Sequence, residues 1–311
     1  MVIKKLLIIS IISIVLIASI SLGLIGNYFY NLALNPDTPK DIIFGKSEDD
    51  SIEVSTTNNW LLNNSNYTDE YINSFDNLKL HSYKILNENS SNKWAIVVHG
   101  YTSEGLKMSS YGEKFHNAGY NVIIPDLRSH GLSEGSYIGM GWNDRFDIIS
   151  WINYVINENN DSDIVLLGVS MGASTVAMTS GEDLPSNVKA IIADCGYTSV
   201  WDEFSYQLDS LFSLPAFPVM NVSSIVSKIR AGYSLKEASA IEQVKKSKTP
   251  ILYIHGDKDD FVPYYMMDEL YNATSSEKEK LTIKDAKHAK AANINPTLYW
   301  DNVFKFINKY I

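Results

Sequence analysis

The chain has little of what several protein classes require. One cysteine, Cys195, stands in 311 residues, which excludes an intramolecular disulfide and every multi-cysteine zinc or iron–sulfur site. Lys and Arg total 26 against 36 Asp and Glu, a net charge of -10. No basic field exists to attract a phosphate backbone, so nucleic acid is not an expected partner. Nine prolines and seventeen glycines are too few for a collagen-like or low-complexity chain, and no internal repeat is evident. What remains is a globular composition, 45% hydrophobic, of a length that α/β folds commonly wrap around one sheet.

Charge is also missing from residues 6–36, and residues 6–26 are dominated by Leu, Ile and Val. As a helix rising 1.5 Å per residue, that run is about 30 Å long, the thickness of a hydrocarbon core. Lys4 and Lys5 precede it and no acid comes before Asp37, so the positive-inside rule keeps the amino end in the cytoplasm. The expectation is a membrane anchor over residues 1–36 carrying an extracytoplasmic domain. The alternatives are a signal peptide cleaved after Ser21, which would give a secreted protein, and a buried core helix. Apolar residues continuing through Ile25 favour retention. Residues 37–67 are polar and Asn-rich, with DTPKD and KSEDD clusters, and read as a tether that docks through Trp60, Leu61 and Leu62. Without Lys4 and Lys5 the rest of the chain carries 24 basic and 36 acidic residues, a net -12. An anionic lipid surface should not attract that body.

Residues 68–311 alternate β-branched runs with helical patterns. A hairpin is expected over 70–74 and 78–85, turning at Asp76 and Asn77. WAIVVHG, NVIIPD, DIVLLGVS, AIIADC and PILYIHG are near-continuous apolar runs, as parallel strands covered on both faces require. Helical spacing follows between them, as at Ile148, Ile149, Ile152, Val155 and Ile156, and again at Trp300, Val303, Phe304 and Ile307. The pattern predicts an α/β fold with a mostly parallel, doubly wound sheet. Residues 197–248 break the rhythm with aromatic residues and two prolines but no central strand. So long a connection reads as a helical cap over the carboxyl edge of the sheet.

Gly168-Val169-Ser170-Met171-Gly172 lies between the strand DIVLLGVS and the helix-compatible ASTVAMTS. A strand-to-helix turn of this kind lifts a serine above the sheet in a strained backbone, with glycines where side chains would collide. Serine is a poor nucleophile at neutral pH and needs a histidine base, itself oriented by an acid. His81 and His116 fall in the hairpin and a helix, and His99, His130 and His255 each precede a glycine at a strand end or loop and read as shaping turns. His288, in a late loop before the last helix, is the candidate base. HGDKDDFVP offers Asp257, Asp259 and Asp260 as the acid; Asp259 is the choice, with Asp194 as the alternative. The resulting order is Ser170, Asp259, His288. Asp126 and Arg128 read as a loop-stabilising pair, and Cys195 as a buried structural thiol.

With these pieces in order, the sequence resembles the α/β-hydrolase superfamily from about Glu70 to the end. VVHGYTSEG, PDLRSHGLSEG, GVSMG, ADCGYTS, HGDKDDFVP and KHAKA carry the resemblance. They are similar to the serine aminopeptidase-like or Bem46-like branch, which includes membrane-anchored bacterial hydrolases. The resemblance implies that the acid is Asp259, that the base is His288, and that the backbone amides of Tyr101 and Met171 form the oxyanion hole. Lys287 departs from it, since many relatives have glycine before the histidine. No metal or cofactor is implied. The expected activity is hydrolysis of a small-molecule carboxylic ester with an apolar group under the cap. The alternatives are an aminopeptidase or amidase, for which Asp202 and Glu203 would receive an amine, and a noncatalytic binding protein on the same scaffold.

Overall fold

The computed structural model describes residues 2–44 and 59–311; the KSEDD cluster lies outside them. Eight strands form one sheet: β1 Thr68–Asn73, β2 Lys79–Ile85, β3 Lys93–Val98, β4 Asn121–Pro125, β5 Asp163–Val169, β6 Val188–Asp194, β7 Ile251–Gly256 and β8 Lys278–Ile283. Their order is β1-β2-β4-β3-β5-β6-β7-β8. β1 and β2 are the expected hairpin, and β2 runs antiparallel to β4. All pairs from β4 through β3 to β8 are parallel. The helices, in chain order, are α1 Val2–Leu34, α2 Asp41–Phe44, α3 Trp60–Asn64, α4 Ser109–Asn117, α5 Asp144–Glu158, α6 Met171–Thr179, α7 Val200–Phe212, α8 Ala216–Arg230, α9 Ala240–Val244, α10 Tyr265–Ala273, α11 Ala291–Ile294 and α12 Pro296–Ile307.

Strand side chains alternate between faces, and the core divides accordingly. Trp94, Ile96, Val98, Ile164 and Leu166 pack with Ile148, Trp151, Ile152 and Val155 of α5. Ala95, Val97, Val165 and Leu167 turn the other way, toward Phe115 of α4 and Val303, Phe306 and Ile307 of α12. Both sets are almost wholly buried, which is why these strands read as unbroken apolar runs. β8 has a mostly exposed or half-exposed pattern and, as an edge strand, lacks that signature. Between β6 and β7 the chain builds α7, α8 and α9.

α1 changes character along its length. It is long and apolar enough to cross a membrane, features that an amino-terminal signal sequence shares. Leu6, Ile14 and Leu24 are 59%, 66% and 67% exposed, whereas Tyr30, Leu32 and Leu34 are 3%, 6% and 1% exposed. The change comes at Gly26, where an added Cβ would lie 2.9 Å from the Val222 backbone of α8. Only glycine lets the two helix backbones approach so closely. Beyond it, the Leu34 carbonyl accepts from Ile138 N–H at 2.8 Å. Lys40 closes the helix end, donating to the carbonyls of Leu32 at 2.7 Å and Asn35 at 2.8 Å, as cations at helix carboxyl termini do. Burial lowers its pKa to about 8.

The loops at the β4 end are held by buried charge, but Asp126 and Arg128 do not pair with each other. Asp126 accepts from His81 Nδ1 at 2.8 Å and from the amides of Gly105 at 2.6 Å and Leu132 at 2.9 Å. The Arg128 guanidinium lies in a two-point bond on Asp147, 2.8 Å each, and reaches Asp76 at 3.0 Å. Both lie beyond the end of β4, and each is taken up by another partner, Asp126 by His81 of β2 and Arg128 by Asp147 of α5. Removing one partner of such a buried pair typically costs about 3–5 kcal/mol. Arg128→Ala should therefore lower the melting temperature of the full chain in detergent by at least about 6 °C; an unchanged melt would show that the pair is not needed.

Candidate active site

The site is built on the turn between β5 and α6. Ser170 has φ 58° and ψ -117°, a strained conformation for a side chain with a Cβ. Its neighbours permit it. A Cβ on Gly168 would meet the Gly172 carbonyl oxygen at 2.1 Å, and one on Gly172 would meet the Val98 oxygen at 2.2 Å. The two glycines thus let β5, α6 and β3 close on one another. The Ser170 amide donates to the Asp194 carbonyl at 2.8 Å, which ties the turn to β6.

Two loops from the carboxyl edge converge on this serine. His288 comes from the loop after β8, and Asp259 from the loop after β7. His288 Nε2 is 2.8 Å from Ser170 Oγ, and His288 Nδ1 is 2.8 Å from Asp259 Oδ2. The other Asp259 oxygen accepts from the amides of Phe261 at 3.0 Å and Val262 at 2.9 Å. Burial alone would raise the Asp259 pKa, but hydrogen bonds from His255 and His288, and their charge, hold it at about 2. The carboxylate is therefore ionised throughout the neutral range. With Nδ1–H donating a hydrogen bond to Asp259, Nε2 faces the serine hydroxyl as an acceptor.

The other expected residues are also placed. Gly100 abuts the serine, an added Cβ lying 3.3 Å from Ser170 Cβ, so the Gly100–Tyr101 peptide borders Ser170. Met171 begins α6 directly after Ser170, with its amide at a helix amino terminus. Asp194 is buried and accepts from Tyr299 Oη at 3.0 Å; burial lifts its pKa to about 6. Asp257 accepts from the Asp285 amide at 2.6 Å. Cys195 is buried beside Asp194 and Asp259, and burial first, then those charges, raise its thiol well above the ordinary value. Cys195, Asp259 and His288 place ligand-type atoms within 4.8 Å of one another. A protonated thiol and an imidazole nitrogen already bonded to the carboxylate make this set a hydrogen-bonding system rather than a prepared metal cage.

His255 has a role that its position before a glycine did not reveal. Its Nε2 lies 3.1 Å from Asp259 Oδ2 and 2.9 Å from the Val262 carbonyl. The i, i+4 spacing from Asp259 was the available signal.

A cleft of about 680 Å³ opens over the serine, with Phe44, Trp60, Tyr101, Phe261 and His288 among its walls. Phe44 stacks on Phe261 with ring centres 5.5 Å apart. Next to it lies an apolar cavity of about 70 Å³, walled by Phe29, Leu34, Ile43, Phe204, Phe212 and Val219. The adjacent α2 residues Ile43 and Phe44 thus face one space each. Tyr101 joins the two regions, its hydroxyl donating to the Ala33 carbonyl of α1 at 2.7 Å. Asp202 is engaged by Thr198 Oγ1 at 2.9 Å and Ser199 Oγ at 2.6 Å. Glu203 is 3% exposed, accepts from Gln207 at 2.9 Å, and is pushed up to about 8 by burial.

Comparison with known proteins agrees with this architecture. A family model described as the alpha/beta hydrolase fold matches residues 94–216. The uncharacterized protein YqkD of Bacillus subtilis is 28% identical over 214 residues, covering 68% of this chain and 70% of its own. Esterase YjfP of Escherichia coli is 28% identical over 196 residues, covering 59% of this chain and 75% of its own. The solved Pyrococcus furiosus esterase Pf2001 superposes with a TM-score of 0.64 at 25% identity, over 78% of this chain and 92% of that one. The parallel sheet with its antiparallel leading strands, the strained serine turn between β5 and α6, and these matches together show that the chain has the α/β-hydrolase fold.

Proposed function

We propose that the chain is a serine hydrolase of carboxylic esters acting through Ser170, His288 and Asp259. The observation that carries this reading is the unbroken hydrogen-bond chain from Asp259 through His288 to Ser170, both links 2.8 Å. In the first step Ser170 Oγ attacks the acyl carbonyl while His288 Nε2 takes its proton. Asp259 stabilises the imidazolium without being protonated itself, as its low pKa requires. The amides of Tyr101 and Met171 receive the oxyanion, each such donor typically contributing about 3–4 kcal/mol to the barrier reduction. His288 then protonates the leaving alcohol. Water, deprotonated by the same imidazole, attacks the acyl-enzyme and releases the acid.

The apolar cavity beside the cleft supports an ester with an apolar group, because its walls hold no charged side chain. The Asp202 carboxylate is occupied by two hydroxyls, and Glu203 is held neutral near pH 7. Neither is arranged to receive a substrate ammonium, which counts against the aminopeptidase reading. Two relatives described as esterases point the same way. In the same reading α1 is a retained anchor and the hydrolase domain is extracytoplasmic.

A fluorophosphonate probe tests the nucleophile: wild-type protein should be labelled and Ser170→Ala should not, and equal labelling of both would overturn the assignment. p-Nitrophenyl esters should be cleaved faster than aminoacyl anilides, with rates rising from acetate to hexanoate; faster anilide turnover would make the protein an amidase. Asp259→Asn should lower kcat by about 10³–10⁴ while Asp194→Asn stays within about tenfold of wild type. The reverse ranking would move the acid to Asp194.

A further inference from the structure

The α7–α8 pair carries apolar side chains that the described residues leave uncovered. Phe217, Ile225 and Ile229 are 75%, 60% and 78% exposed; Ile225 and Ile229, four apart, share one face of α8, and Phe217 stands at the kink near its start. Leu211 and Leu214, at the turn between the helices, are 39% and 37% exposed. The opposite face of α8 is buried through Val219, Met220, Ser223 and Ser227, so packing within the domain does not account for the stripe.

The position of α8 beside α1 identifies what can cover it. Gly26 touches the backbone of Val222. Farther along both helices, Arg230 donates to the side chains of Asn27 and Asn31 at 2.8 Å each, and its guanidinium lies 4.2 Å from the Tyr30 ring centre. Both contacts advance in the same direction, so the helices run alongside each other in parallel. Ala216 is six residues before Val222, about 9 Å back along the axis. The start of α8 therefore lies toward residues 20–25 of α1, the end of its exposed apolar stretch, while the end of α7 packs on the docked part of α1, Phe212 against Phe29 with ring centres 5.3 Å apart. Asn27, Asn31 and Arg230 then mark a polar level directly beyond that stretch, where a helix leaving a bilayer meets headgroups.

We propose that the outer face of α8, with Leu211 and Leu214, rests in the membrane–water interface beside α1. The cap is then set against the lipid, and the cleft takes an apolar ester from the bilayer rather than from water. The proposal rests on α1 being a retained anchor and, for its consequence, on the hydrolase reading. The attachment is apolar rather than electrostatic, since the chain beyond α1 is strongly acidic and gains nothing from anionic headgroups.

Full-length protein in phosphatidylcholine vesicles tests it, with a nitroxide attached at Phe217→Cys, Ile225→Cys, Ile14→Cys or Leu298→Cys in separate variants. Native Cys195 is 1% exposed and does not compete for label. Leu298 lies on α12, in the opposite layer. Labels at 217 and 225 should collide more with oxygen than with a water-soluble nickel chelate, as the label at 14 should, whereas 298 should show the reverse. If 217 and 225 behave like 298 while 14 reads as lipid, the cap contact is wrong and the anchor stands. If 14 also reads as water, the anchor reading fails and the proposal falls with it. A second measurement compares turnover of a vesicle-dissolved long-chain ester with that of p-nitrophenyl acetate. The double variant Phe217→Asp/Ile225→Asp should lower that ratio roughly tenfold; a wild-type ratio would overturn the delivery route.

Discussion

Close backbone packing at Ser170 is the constraint on which the rest of the site depends. Two glycines let β3, β5 and α6 approach until no Cβ would fit, and the serine between them is held at a positive φ by a bond from its amide to β6. Strain of this kind costs about 1–3 kcal/mol and persists only where the surroundings over-determine it. The surroundings here are a central parallel sheet, buried on both faces, and a helix, α6, whose residues are all buried. The position of Ser170 is thus fixed by the most rigid part of the molecule, and Asp259 and His288 are brought to it by loops.

Those loops are held in place by charge and hydrogen bonding. Asp259 is fixed by two amides on one oxygen and two imidazoles near the other, so its carboxylate can neither rotate nor become protonated near neutral pH. His255 belongs to this arrangement although it does not touch Ser170: it lies on β7 under the loop and spans Asp259 and the Val262 carbonyl. On the other side of the sheet centre, Asp126 and Arg128 each anchor separate loop segments. Their division of labour follows from their partners: Asp126 binds His81 of β2 and two loop amides, and Arg128 binds Asp147 of α5 and Asp76.

The local parts of this architecture were legible in the sequence because each has a short-range cause. Unbroken apolar runs gave the buried strands, and G-x-S-x-G between a strand and a helix gave the turn. The turn chemistry of HGDKDDFVP narrowed the acid to three candidates, and the structure brings Asp259, rather than Asp257, Asp260 or Asp194, to His288. What could not be read depends on partners far along the chain. Nothing near Gly26 indicates that it packs on Val222, nearly two hundred residues away, because glycine within an apolar helix is unremarkable. Nothing near Phe44 indicates a stack on Phe261. The exposed edge strand β8 also escaped, since it lacks the continuous apolarity that covered strands need.

The junction of α1 with the body alters what that helix can be doing. A tethered domain needs only a flexible exit from its anchor, yet residues 26–34 are part of the cap's packing, and Ala33 receives a hydrogen bond from Tyr101. The residue whose amide borders Ser170 is therefore bonded through its side chain to the end of the apolar helix. The same helix end forms one wall of the apolar cavity, and α2, immediately after it, separates that cavity from the cleft. Cleavage after Ser21 would leave these contacts intact, because the docked part begins only at Gly26. It would remove the apolar stretch while leaving the stripe on α8 facing water with nothing to cover it. Under the proposed retention of α1 that conflict does not arise: anchor and stripe would share the same lipid, and the geometry that holds the helix against the cap would also set the orientation of the cleft.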